Sequence, residues 1–298
     1  MKPRTILLAA ALICAGMMAQ AQINPTFNPE KGAKYTYREV NDQKMTQSVG
    51  GQDLAMTNVI ERLIEINVKE KDNNEVTLDY TIKEIVVTAS SVMMSFKVDT
   101  KNKAANTSDI EKLIASIYDC IIGKPLQFIV APDGAVKSTT GYNAIMEDIT
   151  KVLANLGEME QQTANGIMQA FSEDAIKIGF EQTFKIYPGK EIKIGDSWKT
   201  DISFEIATIN TNINSTLTLK SVSNDIALVD VAAITSMKPS VGMEGEGKGE
   251  QKGDLKFNVK TGMLVQSTYE GSTKGKFSTQ GMEVSMDIVT KTSYTLQQ

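Results

Sequence analysis

The stretch VGMEGEGKGEQKGDLKFNVK, residues 241–260, has the composition of a flexible linker and the parity of a β-strand. Its odd positions are Val241, Met243, Gly245, Gly247, Gly249, Gln251, Gly253, Leu255, Phe257 and Val259. Its even positions carry Glu244, Glu246, Lys248, Glu250, Lys252, Asp254 and Lys256. A linker has no reason to keep that alternation, whereas a strand with one wet and one covered face requires it. The next segment continues the pattern, with Met263, Val265, Tyr269, Gly271, Gly275 and Phe277 on one row and Glu270, Lys274 and Lys276 on the other. Glycine weakens a strand and marks a bend or a close approach. Several on the covered row imply a curved sheet with volume beside it, filled by the protein's own helices or by a ligand. The charged outer rows do not suit a membrane barrel, whose outward positions must be apolar.

Outward from this stretch, the apolar period divides the chain into three regions. From Lys34 to Thr100 it is two: Ile60, Ile64, Ile66 and Val68 oppose Glu61, Glu65 and Lys69, and Asp72-Asn73-Asn74 turns the chain into Val76, Leu78, Tyr80 and Ile82. A further strand carries Val92, Met94, Phe96 and Val98. The middle region is helical in period. Ser108 and Glu111 form a capping box, followed by Ile110, Leu113, Ile114, Ile117, Tyr118 and Ile121 on one face, with Gly123 placed to end the helix. A second helix runs from Tyr142 through Leu156 to Gly157. A third is expected from about Met159 to Phe171, with Ser172 capping a short continuation through Ile178. Between the first two, residues 126–134 read as a strand and turn. From Lys185 the period returns to two, with turns at Ser223-Asn224-Asp225, Lys260-Thr261-Gly262 and Gln280-Gly281.

The termini and composition bound the function. Lys2 and Arg4, the apolar run from Ile6 to Met18 and the small-residue site Ala19-Gln20-Ala21 form an export signal, with cleavage expected after Ala21. The run is shorter than the roughly 18 residues a spanning helix needs. No later segment is apolar enough to cross a membrane as a helix, so the mature chain is expected to be a soluble protein of the periplasm or exterior. Cys120 is then its only cysteine, so stability must come from burial rather than a disulfide. Without Lys2 and Arg4 there are 29 basic against 36 acidic residues and no concentrated basic face, which argues against nucleic acid. The chain has no histidine. That removes serine–histidine and cysteine–histidine nucleophiles, the imidazole base and histidine-ligated zinc. No acidic loop of calcium-binding form occurs, and no catalytic, metal or cofactor site is expected.

The two strand regions share an order of features. Gly32-Ala33-Lys34-Tyr35, the turn at residues 72–74 and Pro132-Asp133-Gly134 match Gly195-Asp196-Ser197-Trp198, the turn at 223–225 and Lys260-Thr261-Gly262, though at different spacings. A diverged duplication and the ordinary reuse of glycine turns both account for this. On these motifs and the export signal, the chain resembles a family of uncharacterised secreted bacterial proteins, defined only as a domain of unknown function. At the level of fold it is similar to periplasmic lipoprotein carriers, whose antiparallel sheet curves as a half-barrel around helices. That resemblance implies a concave side able to shelter acyl chains. The strand content is nearly double that of a simple carrier.

The expected fold is α+β: one domain over residues 22–298, with N-terminal strands (22–106), a helical middle (107–186) and C-terminal strands (187–298). These build a large curved antiparallel sheet with the helices on its concave face. The expected function is non-catalytic binding of an apolar or lipid-like molecule in the cell envelope. The candidate wall is Met243, Leu255, Phe257, Met263, Tyr269, Phe277, Met282 and Met286, with Gly245, Gly247 and Gly249 supplying space. The alternative is a fully packed structural module that meets an envelope protein partner.

Overall fold

The structure, a computed structural model, describes residues 22–297 apart from 73, 93, 155–156, 158–167, 169–170, 207–208, 240–242 and 280–281. The signal segment, the Gln280-Gly281 turn, Val241 and all of the third expected helix except Met168 and Phe171 lie outside the described residues. Twelve strands form one antiparallel sheet. The first meander is β1 (Lys34–Val49), β2 (Gln52–Lys71), β3 (Val76–Ser91), β5 (Pro125–Val130) and β6 (Val136–Thr140), with β4 (Ser95–Asp99) paired to the far end of β3. The second is β7 (Ser197–Ile206), β8 (Ile209–Ser223), β9 (Ile226–Pro239), β10 (Glu244–Asn258), β11 (Leu264–Thr279) and β12 (Met282–Gln297). They join where β1 pairs with β12, leaving β6 and β7 as the edges.

Residues 244–258 are thus a strand, and its odd row faces inward: Gly247, Gly249, Leu255 and Phe257 are buried while Glu244, Glu246, Lys248, Glu250 and Lys252 are exposed. Two-residue turns fix the registers. Asn224 and Asp225 both take positive φ between β8 and β9, as a primed hairpin turn needs. Gly50-Gly51 closes the β1–β2 hairpin, a turn concealed by the continuous alternation on either side.

The helices are α1 (Asp109–Asp119), α2 (Tyr142–Leu153) and α3 (Glu173–Phe184). The Ser108–Glu111 capping box forms as expected, and α1 ends four residues before Gly123, whose amide instead donates to the Ile82 carbonyl in β3. α2 stops at Leu153, short of Gly157. Ser172 caps α3 through the Ala175 amide, and the helix runs past Ile178 to Phe184, longer than its weak apolar period implied. Its inward face carries Phe180 and Phe184, which join Phe27, Tyr37, Tyr80, Phe128 and Tyr294 in an aromatic core. The sheet curls so far that α3 touches both edges. Glu181 accepts from the Val136 amide of β6, and Lys185 at the end of α3 donates to the Asp201 carbonyl of β7.

Both halves use the same local devices. Gly32, at φ 82°, donates to the Val68 carbonyl and Val68 donates back to Ala33; Gly195, at φ 95°, donates to Leu219, which donates back to Asp196. Immediately after, each hairpin skips one residue, between Val68 and Glu70 and between Leu219 and Ser221. Further on, Gly134 lies against the backbone of Phe184 and Lys185, on the way into the second meander, and Gly262 lies against Thr26, on the way into the first. The two lead-in segments pair with each other at Ile23 and Ile192. β4 with α1 occurs only in the first half, and β12, which follows the Gly262 hairpin, only in the second.

Glu111 anchors that addition. Its carboxylate accepts from the amides of Thr107 and Ser108 at 2.9 Å and from Lys97 of β4 at 3.2 Å. Donation from the Ser108, Lys97 and Thr107 amides lowers its pKa to about 2. A carboxyl depressed in the fold contributes stability above its ordinary pKa and loses it as pH falls through the folded value. Between pH 4.5 and about 2, the Lys97, Thr107 and Ser108 amides should therefore lose hydrogen-exchange protection before the β1–β12 core does. Protection unchanged at pH 2 would show that the carboxylate is not the anchor.

Candidate functional site

The paired registers sort the concave face into levels. At the end where the chain enters the sheet, Phe27, Tyr37, Phe128, Phe180, Phe184, Tyr187 and Phe257 are buried in one contiguous core. Leu255, Phe257 and Met263 of the candidate wall belong here, each at most 2 % exposed. Their surface is used by the fold. Tyr269 is half-buried against the same core and lies across the sheet from Gly253.

Above this core lies a polar belt. Asn41, Gln43, Asn58, Thr290 and Thr292 are register partners on the inner face. Just below them Arg62 contacts both Glu39 carboxylate oxygens, at 3.3 and 3.1 Å, and sits 5.8 Å from the Phe171 ring centre. Burial opposes the guanidinium charge, but Glu39 more than compensates and holds Arg62 above its ordinary pKa. The pair borders a cavity of about 90 Å³ between the sheet and α3, lined also by Tyr80, Phe180 and Tyr294. Arg62 Nε and Asn58 Oδ1 have no partner among the described residues. That cavity holds a few waters rather than an acyl chain. Sequence reasoning passed over Arg62, although it breaks the apolar row Ile60, Ile64, Ile66 on the covered side, and that interruption is the signal of an inward charge.

Beyond the belt the inner face turns apolar again. Ile202, Ile213, Thr235, Gly249, Thr273, Ile288, Met45 and Met56 form one level across eight strands. Phe204, Met237, Gly247, Gly275, Met286 and Leu54 belong to the next. The large apolar residues among them are half-buried and stand outside the contiguous core and its packed periphery. Among the described residues α3 thus covers the entry end of the concave face and α1 packs on β4, while the far ends of β7 to β12, β1 and β2 form a trough.

The glycines of the candidate wall do not leave empty volume. A side chain at Gly275 would meet the Phe277 ring at 2.6 Å, one at Gly247 the Met237 methyl at 2.9 Å, and one at Gly249 the Thr273 hydroxyl at 2.2 Å. Neighbouring side chains fold over them, so Phe277 is only 3 % exposed although it lies outside the main core. The trough wall is therefore smooth, an aromatic and methionine surface laid on glycine backbone. Met286 and Met243 are half-buried on it, and Met282 is 54 % exposed at its rim. At that rim a hollow of about 910 Å³ opens across the end of the sheet, lined both by inward Gly245, Phe277 and Val284 and by outward Glu244, Lys276 and Glu283.

Titratable groups do not converge in the trough. Among the described residues no three His, Cys, Asp or Glu side chains group as a metal site. Cys120 is half-buried, its thiol raised chiefly by burial and directed at the Ser116 carbonyl, which makes it a poor nucleophile. No described helix is long and apolar enough to cross a membrane.

Among solved structures the chain is similar to lipovitellin, in a structure of its lipid–protein interactions, at 9 % identity and a TM-score of 0.47; the match covers 90 % of this chain and 25 % of lipovitellin's, so the chain spans a quarter of that protein's length. It is also similar to an outer membrane channel of Pseudomonas putida F1, at 8 % identity and a TM-score of 0.23, over 90 % of this chain and 96 % of the channel. No curated protein matches the chain. A family model matches residues 73–264, from the β2–β3 turn through both meanders to the start of β11, and the chain belongs to that family, the family of unknown function DUF6263.

Proposed function

We propose that this is an exported, non-catalytic protein that binds an apolar or lipid-like molecule in the cell envelope, on the trough beyond the polar belt. One observation carries the reading. A wide inward face of isoleucine, methionine and phenylalanine stays half-buried and outside the core in a fold that packs its other half completely. Contiguous accessible apolar surface of this kind marks binding sites, and thioethers adapt to irregular guests. Desolvating it would supply roughly 25 cal/mol per Å² before ordering costs. The charged outward rows of β10 and β11 suit water on the convex side. Export rests on the basic, apolar and small-residue pattern of residues 1–21, and the non-catalytic reading on the absence of histidine and of converging acids.

Mass spectrometry of organic extracts from natively purified protein should recover an acyl lipid, and Ile213→Asp with Met286→Asp should abolish it while leaving the fold intact. The absence of both a co-purified lipid and any uptake of a fluorescent fatty acid would overturn the proposal. A second reading has its own support: the cavity between the sheet and α3 measures only about 90 Å³. If the trough is instead covered by an envelope protein, the same double substitution should release that protein in cross-linking and leave extracts empty in both forms.

A further inference from the structure

The polar belt continues across the sheet. The register that joins Asn58, Gln43 and Thr290 runs on through Gly271 to Gln251, then through Ala233 to Ser215 and Thr200, so amides and hydroxyls stand at one height from β2 to β7. All six polar residues are half-buried. One level nearer the core Asn41 donates to Thr292, but among the described residues none of the six side chains has a hydrogen-bond partner, and Asn58 Oδ1 is buried without one. Polar groups on a covered face ordinarily find partners. From this row to the far end, the inner positions of these eight strands carry no charged side chain among the described residues, and Arg62 below the belt is already paired with Glu39. The distance from Asn58 to Gln52 at the end of β2 is about 20 Å at the usual strand rise, enough to lay out a long acyl chain.

We infer that the guest of the trough is an uncharged amphiphile of the acylglycerol class, held with its hydroxyl and ester groups at the belt and its acyl chain directed to the open end. The inference rests on the trough reading and names the class of guest. Amides and hydroxyls offer donors and acceptors together, which matches a head with several neutral hydrogen-bonding groups. Such a head also relieves the cost of polar groups left unpaired on a covered face. An ionised head fares worse, because it would leave water with no free cation to meet: the Arg62 guanidinium contacts both Glu39 oxygens. The reverse orientation fares worse too. With the head at the mouth, the belt would face methylene groups and its hydrogen bonds would stay unmade.

Displacement of the neutral fluorophore N-phenyl-1-naphthylamine from the delipidated mature chain tests it. Monolauroylglycerol and laurate share one acyl chain and differ in the head. At about pH 8 the glycerol ester should displace the fluorophore at a concentration at least tenfold below that of laurate. Gln251→Lys and, separately, Gln43→Lys put a cation in the belt from opposite sides of β12, and each should improve laurate at least tenfold while fluorophore binding, which reports the intact trough, is retained. Equal displacement by the two lipids, or a preference of the wild type for laurate, would overturn the inference. So would a laurate affinity that neither lysine changes, since the head would then sit away from the belt. In all three cases the bound fluorophore leaves the trough reading standing. A wild type that takes up no fluorophore, or uptake that survives Ile213→Asp with Met286→Asp, would overturn the trough reading and this inference with it.

Discussion

Phe184→Ala should destabilise the protein by about 3–5 kcal/mol, the range for truncating a buried aromatic. Phe184 is fully buried, and its ring meets four others: Phe27 at 5.6 Å, Tyr37 at 6.1 Å, Phe180 at 4.7 Å and Tyr294 at 6.3 Å. Those partners come from the lead-in segment, β1, α3 and β12, so one side chain holds together the helix, the seam between the meanders and the segment that precedes the first. The backbone beside it is equally committed, because Gly134 of the β5–β6 turn leaves no room for a side chain against the Phe184 carbonyl. Urea denaturation of the variant should show the lower midpoint. Ile178→Ala, at the half-buried middle of the same helix, should cost much less. A loss below 1 kcal/mol for Phe184→Ala would mean that the helix does not key the seam.

The sheet was legible in the sequence because parity is a local property that survives an unusual composition: Glu244 to Lys256 keeps its charged row however many glycines stand opposite. Strand pairing was not legible. Nothing in either sequence region shows that β1 meets β12, because that contact joins residues 235 to 261 positions apart and depends on how far the sheet has curled. Half of the candidate wall was misassigned in depth for the same reason. Phe257 and Met243 share a row, yet the first is buried with its ring 6.1 Å from that of Tyr187 and the second is half-buried just before the other end of the strand, and parity cannot tell height along a strand. The helices were placed correctly on the concave side and too generously along it. Arg62 was readable, since a charge on an apolar row cannot be accidental in a buried sheet, but its partner Glu39 required the register.

Gly253→Ala should destabilise by about 3 kcal/mol, the upper end of overpacking costs, although residue preference alone points the other way. Glycine in a strand interior is about 0.5–1 kcal/mol worse than alanine, so a free position would gain from the change. Gly253 is not free: a Cβ there would lie 2.0 Å from the Thr268 carbonyl oxygen and 2.7 Å from the Tyr269 ring. The ring can rotate, at the cost of uncovering Leu255 and its neighbours, but the carbonyl belongs to the adjacent strand and moves only if the sheet does. Gly179→Ala supplies the contrast, since Gly179 lies in α3 with nothing within 4 Å of its missing side chain, and there alanine should gain about 0.5–1 kcal/mol. Chemical denaturation of the two variants side by side separates close approach from propensity. If both gained stability, the glycine row of β10 would be a compositional accident, and the curvature assigned to it would have to come from the bulges at Leu63, Val68, Ile129, Leu219 and Lys256.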